Sequence, residues 1–147
     1  MKIRLICISD SDKHFAPPIE EYTKRMGKSL EIVKLKPIKS LPTPQIIAKE
    51  TQLMLTALSH APGYKILLSF RWTPQTTEQL VSLTEKHTAL TCVIWGPFGL
   101  DETLIVPKVD FVLSLGKQTM PHGLVQLVML EQLYRIQQIV AGKPYHY

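Results

Sequence analysis

"YKILLSFRWTPQTTEQLVSLTEKHTALTCVIW", residues 64–95, decides the fold. Its first piece, "YKILLSF" (64–70), reads as a strand. Its middle, "PQTTEQLVSLTEKH" (74–87), reads as a helix with Leu80, Val81 and Leu83 turned inward. Its last piece, "LTCVIW" (90–95), is apolar at almost every position, as in a strand covered on both faces. Strand, helix, strand in that order is a parallel crossover, so this stretch predicts an α/β fold around a mainly parallel sheet.

The same alternation continues outward. "KIRLICIS" (2–9) and "LEIVKLK" (30–36) read as strands, and "DFVLSL" (110–115) as the last one. "PPIEEYTKRMGK" (17–28) reads as a helix with acids in its first turn and bases in its last, an order that complements the helix dipole. After Pro37 and Pro42, Thr43 and Pro44 suit an N-cap and first helical position. A helix follows to about His60, with Ile46, Ile47, Met54, Leu55 and Leu58 toward the core. "PHGLVQLVMLEQLYRIQQIVAG" (121–142) is a long final helix, opened by Pro121 and closed by Gly142. Helices should cover both faces of the sheet. The final helix is apolar around most of its circumference, which calls for burial on almost all sides, either in a homodimer or as a helix fully enclosed in a monomer. The expectation is a homodimer whose seam includes Leu127, Met129, Leu130 and Leu133 in some combination.

Length and composition set the remaining bounds. The chain has 147 residues, 45% hydrophobic and 20% charged, which suits one domain with one core. No apolar run reaches the roughly 18–20 residues of a membrane span. The opening "MKIRLICISDSD" turns acidic and reads as a strand, not as a signal peptide. Cys7 and Cys92 sit in apolar runs, which points to a reducing cytoplasm; no Cys or His pair has metal-ligand spacing. The net charge is +5 and is unevenly placed. Residues 1–49 hold ten of the 17 Lys and Arg against five acids; the remainder holds seven against seven. Lys24, Arg25, Lys28, Lys34, Lys36 and Lys39 carry the excess, either as a solvated face or as a phosphate-facing patch for a nucleic acid.

In open parallel sheets, ligands bind outside the carboxyl ends of the strands. Three loops leave such ends: "SFRWTP" (69–74), "WGPFGL" (95–100) and "LGKQTMPHG" (115–123). None contains a GxGxxG or GKS/GKT phosphate loop, and no G-x-S-x-G elbow is present. Asp101 and Glu102 sit at a helix start, where capping explains both; His122 suits a capping or core role. The tail "GKPYHY" (142–147) places two tyrosines and a histidine where frayed polar residues are the norm.

"MKIRLICI", "VIWGPFGLDETL" and above all "LSLGKQTMPHGLVQLVMLEQLYRIQQIVAGKPYHY" resemble the ribosomal RNA large subunit methyltransferase H family, minimal SPOUT methyltransferases, over essentially the whole chain. P-H, L-V, L-x-E-Q-L-Y-R and P-Y-H recur in order between Leu113 and His146. The resemblance implies a C-terminal trefoil knot and S-adenosylmethionine held by three loops. It also implies a homodimer in the cytoplasm that methylates N3 of a pseudouridine in a stem-loop of large-subunit rRNA in the ribosome. It places Leu68 at the end of the strand before the first cofactor loop, Trp95, Gly96 and Gly99 in the second loop, and Leu115, Gly116, Lys117, Gln118, Thr119 and Met120 in the third, all toward the cofactor. Arg135, Tyr145 and His146 fall at the chemistry. The chain departs from the family pattern at Ser69, Trp72, Trp95 and Gln126. Two other readings stand beside this one: an RNA-binding relic without catalysis, to which Trp72 and Trp95 point, and a methyltransferase for a different base.

Overall fold

The computed structural model describes residues 1–9 and 13–145. Five strands form one sheet: β1 (Lys2–Ile8), β2 (Leu30–Leu35), β3 (Tyr64–Leu68), β4 (Ala89–Ile94) and β5 (Phe111–Leu113). Their order is β2-β1-β4-β3-β5 and every pairing is parallel. β4 occupies the centre, as its apolar run predicts, and five of its six residues are fully buried. Register pairs Leu5 with Cys92 on one side and Ile32 on the other.

Helices cover both faces. α1 (Ala16–Met26), α3 (Thr77–Thr84) and α5 (His122–Val140) pack on one face, where Met26, Leu80, Met129, Leu130, Leu133 and Ile136 meet Leu5, Ile66, Leu90 and Cys92. α2 (Thr43–Ser59) and the short α4 (Glu102–Ile105) pack on the other, where Met54, Leu58 and Ile105 meet Ile6, Ile8, Leu67 and Val93. Both cysteines are free and buried, and burial pushes the Cys92 thiol up to about 12.

Local chemistry moves several element ends. Thr76 and Gln79 form a reciprocal capping box, so α3 begins at Thr77, three residues after Pro74. α2 starts one residue early: Pro42 is its N-cap, and Thr43 is not. α1 begins at Ala16, which leaves Glu20 and Glu21 beyond its first turn. Gly142 ends α5 as expected. At φ 69° it donates to Ile139 C=O at 3.0 Å, and Lys143 donates to Gln138 C=O at 2.9 Å, a Schellman motif.

The expected seam on α5 needs correction. Met129, Leu130 and Leu133 are 0% exposed within one chain, because they fill the core against the sheet. No second subunit can touch them. Leu124, Leu127 and Val128 are partly exposed, belong to neither apolar cluster, and lie three and four residues apart on one stripe. Of the four seam residues expected, only Leu127 stays available.

Two glycines allow a stability comparison. At Gly63, φ is +73° and an added Cβ would lie 2.0 Å from the Ala89 carbonyl oxygen. At Gly27, φ is +54° and nothing lies within 4 Å. Gly63→Ala should cost about 3 kcal/mol or more, by clash and backbone strain together, and Gly27→Ala about 1 kcal/mol, by strain alone. Urea unfolding of the two variants checks the order; equal losses would show that the β3 entrance yields to the methyl group.

Candidate functional site

The three loops leaving the carboxyl ends of β3, β4 and β5 converge on one cavity of about 630 Å³. That volume suits a ligand of cofactor size. Leu68, Trp95, Gly96, Gly99, Leu115, Gly116, Gln118, Thr119 and Met120 all border it. Lys117 does not; its side chain is exposed outside the lining. Residues distant in sequence, such as Leu68 and Met120, meet only because the parallel strands end at one edge.

The second loop is shaped from below. The Gly99 N–H donates to the Gly96 carbonyl at 3.0 Å across Pro97 and Phe98, which closes a tight turn. Gly96 has little room beside it: a Cβ there would lie 2.7 Å from Oε1 of Glu50, whose carboxylate would have to shift. Glu50 is 1% exposed, and its Oε2 accepts from the Ile38 N–H at 3.0 Å. Burial raises its carboxyl above the usual range, with the Ile38 contact opposing. The next residue on α2, buried Thr51, accepts from the Asp101 N–H at 2.9 Å. Adjacent residues of one helix thus meet both ends of the 96–101 loop: Thr51 holds Asp101 by a hydrogen bond, and Glu50 packs beneath Gly96 with its Oε1 buried and without a partner among the described residues.

Among the described residues, six polar side chains border the cavity: Ser69, Arg71, Glu102, Gln118, Thr119 and His122. Ser69, 1% exposed, donates to Glu102 at 2.6 Å. Asp101 caps α4 through the Thr103 N–H, as expected, but Glu102 turns to Ser69 and the cavity instead of capping. His122 also borders the cavity, and its Nε2 lies 2.6 Å from the Trp95 carbonyl, which stitches the third loop to the second. Phe70 and Phe98, about half exposed, stand at the rim. A mostly apolar cavity with a carboxylate, an imidazole and exposed backbone suits a flat aromatic ligand that also carries charge. The Trp95 indole packs against both apolar clusters and leaves the cavity open. Trp72 is 47% exposed and does not line it.

Sequence reasoning assigned nothing to Glu50, Thr51, Phe98 or Arg71, and a capping or core role to Glu102 and His122. Glu50 alone left a signal: it interrupts the apolar stripe Ile46, Met54, Leu58 on a buried helical face.

Arg135 and Tyr145 come together elsewhere. The Arg135 guanidinium lies 4.9 Å from the Tyr145 ring centroid and pairs with Glu131. Tyr145 packs edge-on against Tyr134, with ring centroids 4.8 Å apart, and its hydroxyl lies 3.3 Å from that of Tyr22. The hydrogen bond with Tyr22, aided by burial and the negative Glu131, pushes the Tyr145 phenol up to about 12. It is therefore neutral at physiological pH and serves as a donor and a stacking surface. Glu131, which the Tyr145 hydroxyl approaches at 3.4 Å, lies about 9 Å along α5 beyond Val125 at the cavity wall, and Tyr145 does not line its own chain's cavity. His146 lies outside the described residues.

Among the described residues, no helix is long and apolar enough to cross a membrane, and no three His, Cys, Asp or Glu side chains are grouped to hold a metal ion. Residues 1–146 match the family described as "Predicted SPOUT methyltransferase". The ribosomal RNA large subunit methyltransferase H of Parabacteroides distasonis is 34% identical, over 100% of this chain and 99% of its own length. The protein of the same name from Acetivibrio thermocellus is 31% identical, over 99% of both. Among solved structures, the tRNA (m1G37) methyltransferase from Aquifex aeolicus superposes with a TM-score of 0.55 at 16% identity, over 100% of this chain and 75% of that one, a likeness of fold. The chain belongs to the ribosomal RNA large subunit methyltransferase H family of SPOUT methyltransferases.

Proposed function

We propose that this chain methylates N3 of a pseudouridine in a stem-loop of large-subunit rRNA, with S-adenosylmethionine as donor and a homodimer as the working unit. The observation that carries the reading is the convergence of three separate loops, each implicated by the family resemblance, on one cavity of suitable size. The residues present fit the cofactor. Leu68, Leu115 and the Gly96–Gly99 turn offer backbone and apolar surface for an adenine ring, and Glu102, held by Ser69, offers a carboxylate to hydroxyl or ammonium donors. When bound, S-adenosylmethionine supplies a methyl group already activated by its sulfonium. On this reading the chain between β5 and α5 forms the trefoil knot, and the His122 contact to Trp95 helps to tie it. The whole chain acts as one domain, in the cytoplasm with the ribosome.

What remains for the protein is alignment and removal of a proton. The base must leave its stack to meet the donor. The N3 proton needs an acceptor, and His146 has the right chemistry. Tyr145, kept neutral, orients the base and does not take the proton. Since Tyr145 does not line its own cavity, the tail serves the neighbouring subunit's cavity. The partly exposed stripe Leu124, Leu127 and Val128 supplies the seam that brings the two together.

Three measurements test this. Calorimetric titration should show S-adenosylmethionine binding to the wild type, and Gly96→Ala should weaken it about tenfold or more, because the new Cβ meets Glu50 Oε1 at 2.7 Å. Absence of wild-type binding would remove the donor site. Sedimentation should give a dimer for the wild type and a monomer for Leu127→Arg, which puts a charge into the apolar stripe; a wild-type monomer at micromolar concentration would rule out the shared site. Deleting residues 145–147 should lower methyl transfer to ribosomes about a hundredfold, the scale of a lost general base, while S-adenosylmethionine affinity holds. A full rate after deletion would make the tail a structural pin.

A further inference from the structure

The basic excess of the N-terminal third is not one patch. Because the strands are parallel, α1 carries the chain back to the edge where strands begin. Lys24, Arg25 and Lys28 stand at that far edge, where Lys2 Nζ donates to the Lys28 carbonyl at 3.2 Å. Arg25 is engaged there by Glu21 and lies 5.4 Å from the Tyr22 ring centroid. Lys34 and Lys36, by contrast, lie at the carboxyl end of edge strand β2, and Lys39 follows in the connection to α2. All three are exposed. Lys34 is the penultimate residue of the strand and Lys36 the first beyond it, about 7 Å further along the extended chain. From Ile32 to Lys49 the chain contains no acid. Lys13, also exposed, follows β1 at the same edge, and with Asp10 and Asp12 of that connection counted against them the four lysines keep a positive sum.

This lysine segment is stiff, and it is held to the cavity. Pro37 and Pro42 restrict it, and Ser40 takes a left-handed φ of 62° at its bend. Glu50 fixes its position: one carboxylate oxygen accepts from the Ile38 N–H, and the other lies beneath Gly96 at the cavity. A single buried side chain thus touches both the lysine loop and the loop bordering the cavity. A surface already ordered loses little conformational entropy when a partner docks.

We propose that Lys34, Lys36 and Lys39 form a docking surface for the phosphate backbone of RNA, set beside the methyl-donor cavity by Glu50. The inference rests on the rRNA-methylating function proposed above and adds where the nucleic acid crosses the protein. RNA enters along the β2–β1 half of the carboxyl edge, and the base to be modified reaches the β4–β3–β5 half.

The test compares wild type with a triple variant, Lys34→Ala, Lys36→Ala and Lys39→Ala, against purified large ribosomal subunits over a range of salt concentrations. S-adenosylmethionine titration of both proteins runs in parallel. The variant should hold S-adenosylmethionine within about twofold, bind subunits about tenfold or more weakly at low salt, and lose about two from the slope of log affinity on log salt. Wild-type affinity and slope in the variant would overturn the proposal. So would loss of S-adenosylmethionine binding together with subunit binding, since the loop would then shape the cavity and not dock RNA. A wild-type protein that binds S-adenosylmethionine but no subunits would bring down the rRNA reading and this inference with it. If wild type binds both and only the variant's expected defect is missing, this inference alone fails.

Discussion

Every paired strand runs the same way, and the rest of the molecule follows from that constraint. A parallel sheet sends each strand's exit to one edge and each helix back toward the other. Residues 68, 96 and 120 become neighbours without any local sequence signal that they should. The same rule divides the positive charge, with α1's basic end at one pole and the β2 lysines at the other. Chemistry gathers at the edge where chains leave, and buried apolar surface on both faces keeps that edge rigid.

Within that frame, α2 is the support of the site. Glu50 and Thr51 sit on a buried helical face, and each accepts from a backbone N–H of a connection that passes above them, Ile38 and Asp101. A buried carboxylate is costly, and an apolar residue would fill the space more cheaply. What offsets part of that cost here is the Ile38 contact, while the second oxygen lies under Gly96, so the second loop and the β2–α2 connection meet over the same side chain.

The fold was legible because the apolar runs and their spacing obey simple periodicities. "LTCVIW" announces a central strand, and Gly142 announces the end of α5, since each depends on a few adjacent residues. Boundaries moved where side chains compete with pattern, as when the Thr76–Gln79 box delays α3. The α5 seam was misjudged for a related reason. Counting apolar residues around a helix shows how much must be covered, but not which stripe the sheet claims first, and here it claims Met129, Leu130 and Leu133. The cavity-lining loops were legible as the exits of predicted parallel strands, the family resemblance gave them a cofactor, and their glycines alone said little. Glu102 and Asp101 are adjacent acids with different tasks, and only three-dimensional proximity to Ser69 separates them.

The contact between Glu50 and Gly96 has an evolutionary consequence. The two positions share one small volume, so a side chain at position 96 and a long acid at position 50 compete for it. A side chain acquired at position 96 displaces the Glu50 carboxylate or favours a shorter residue there, and either change disturbs the hold on the Ile38 N–H. The order of change is therefore directional: position 50 can shorten while residue 96 stays glycine, but position 96 gains a side chain at least cost after position 50 has changed.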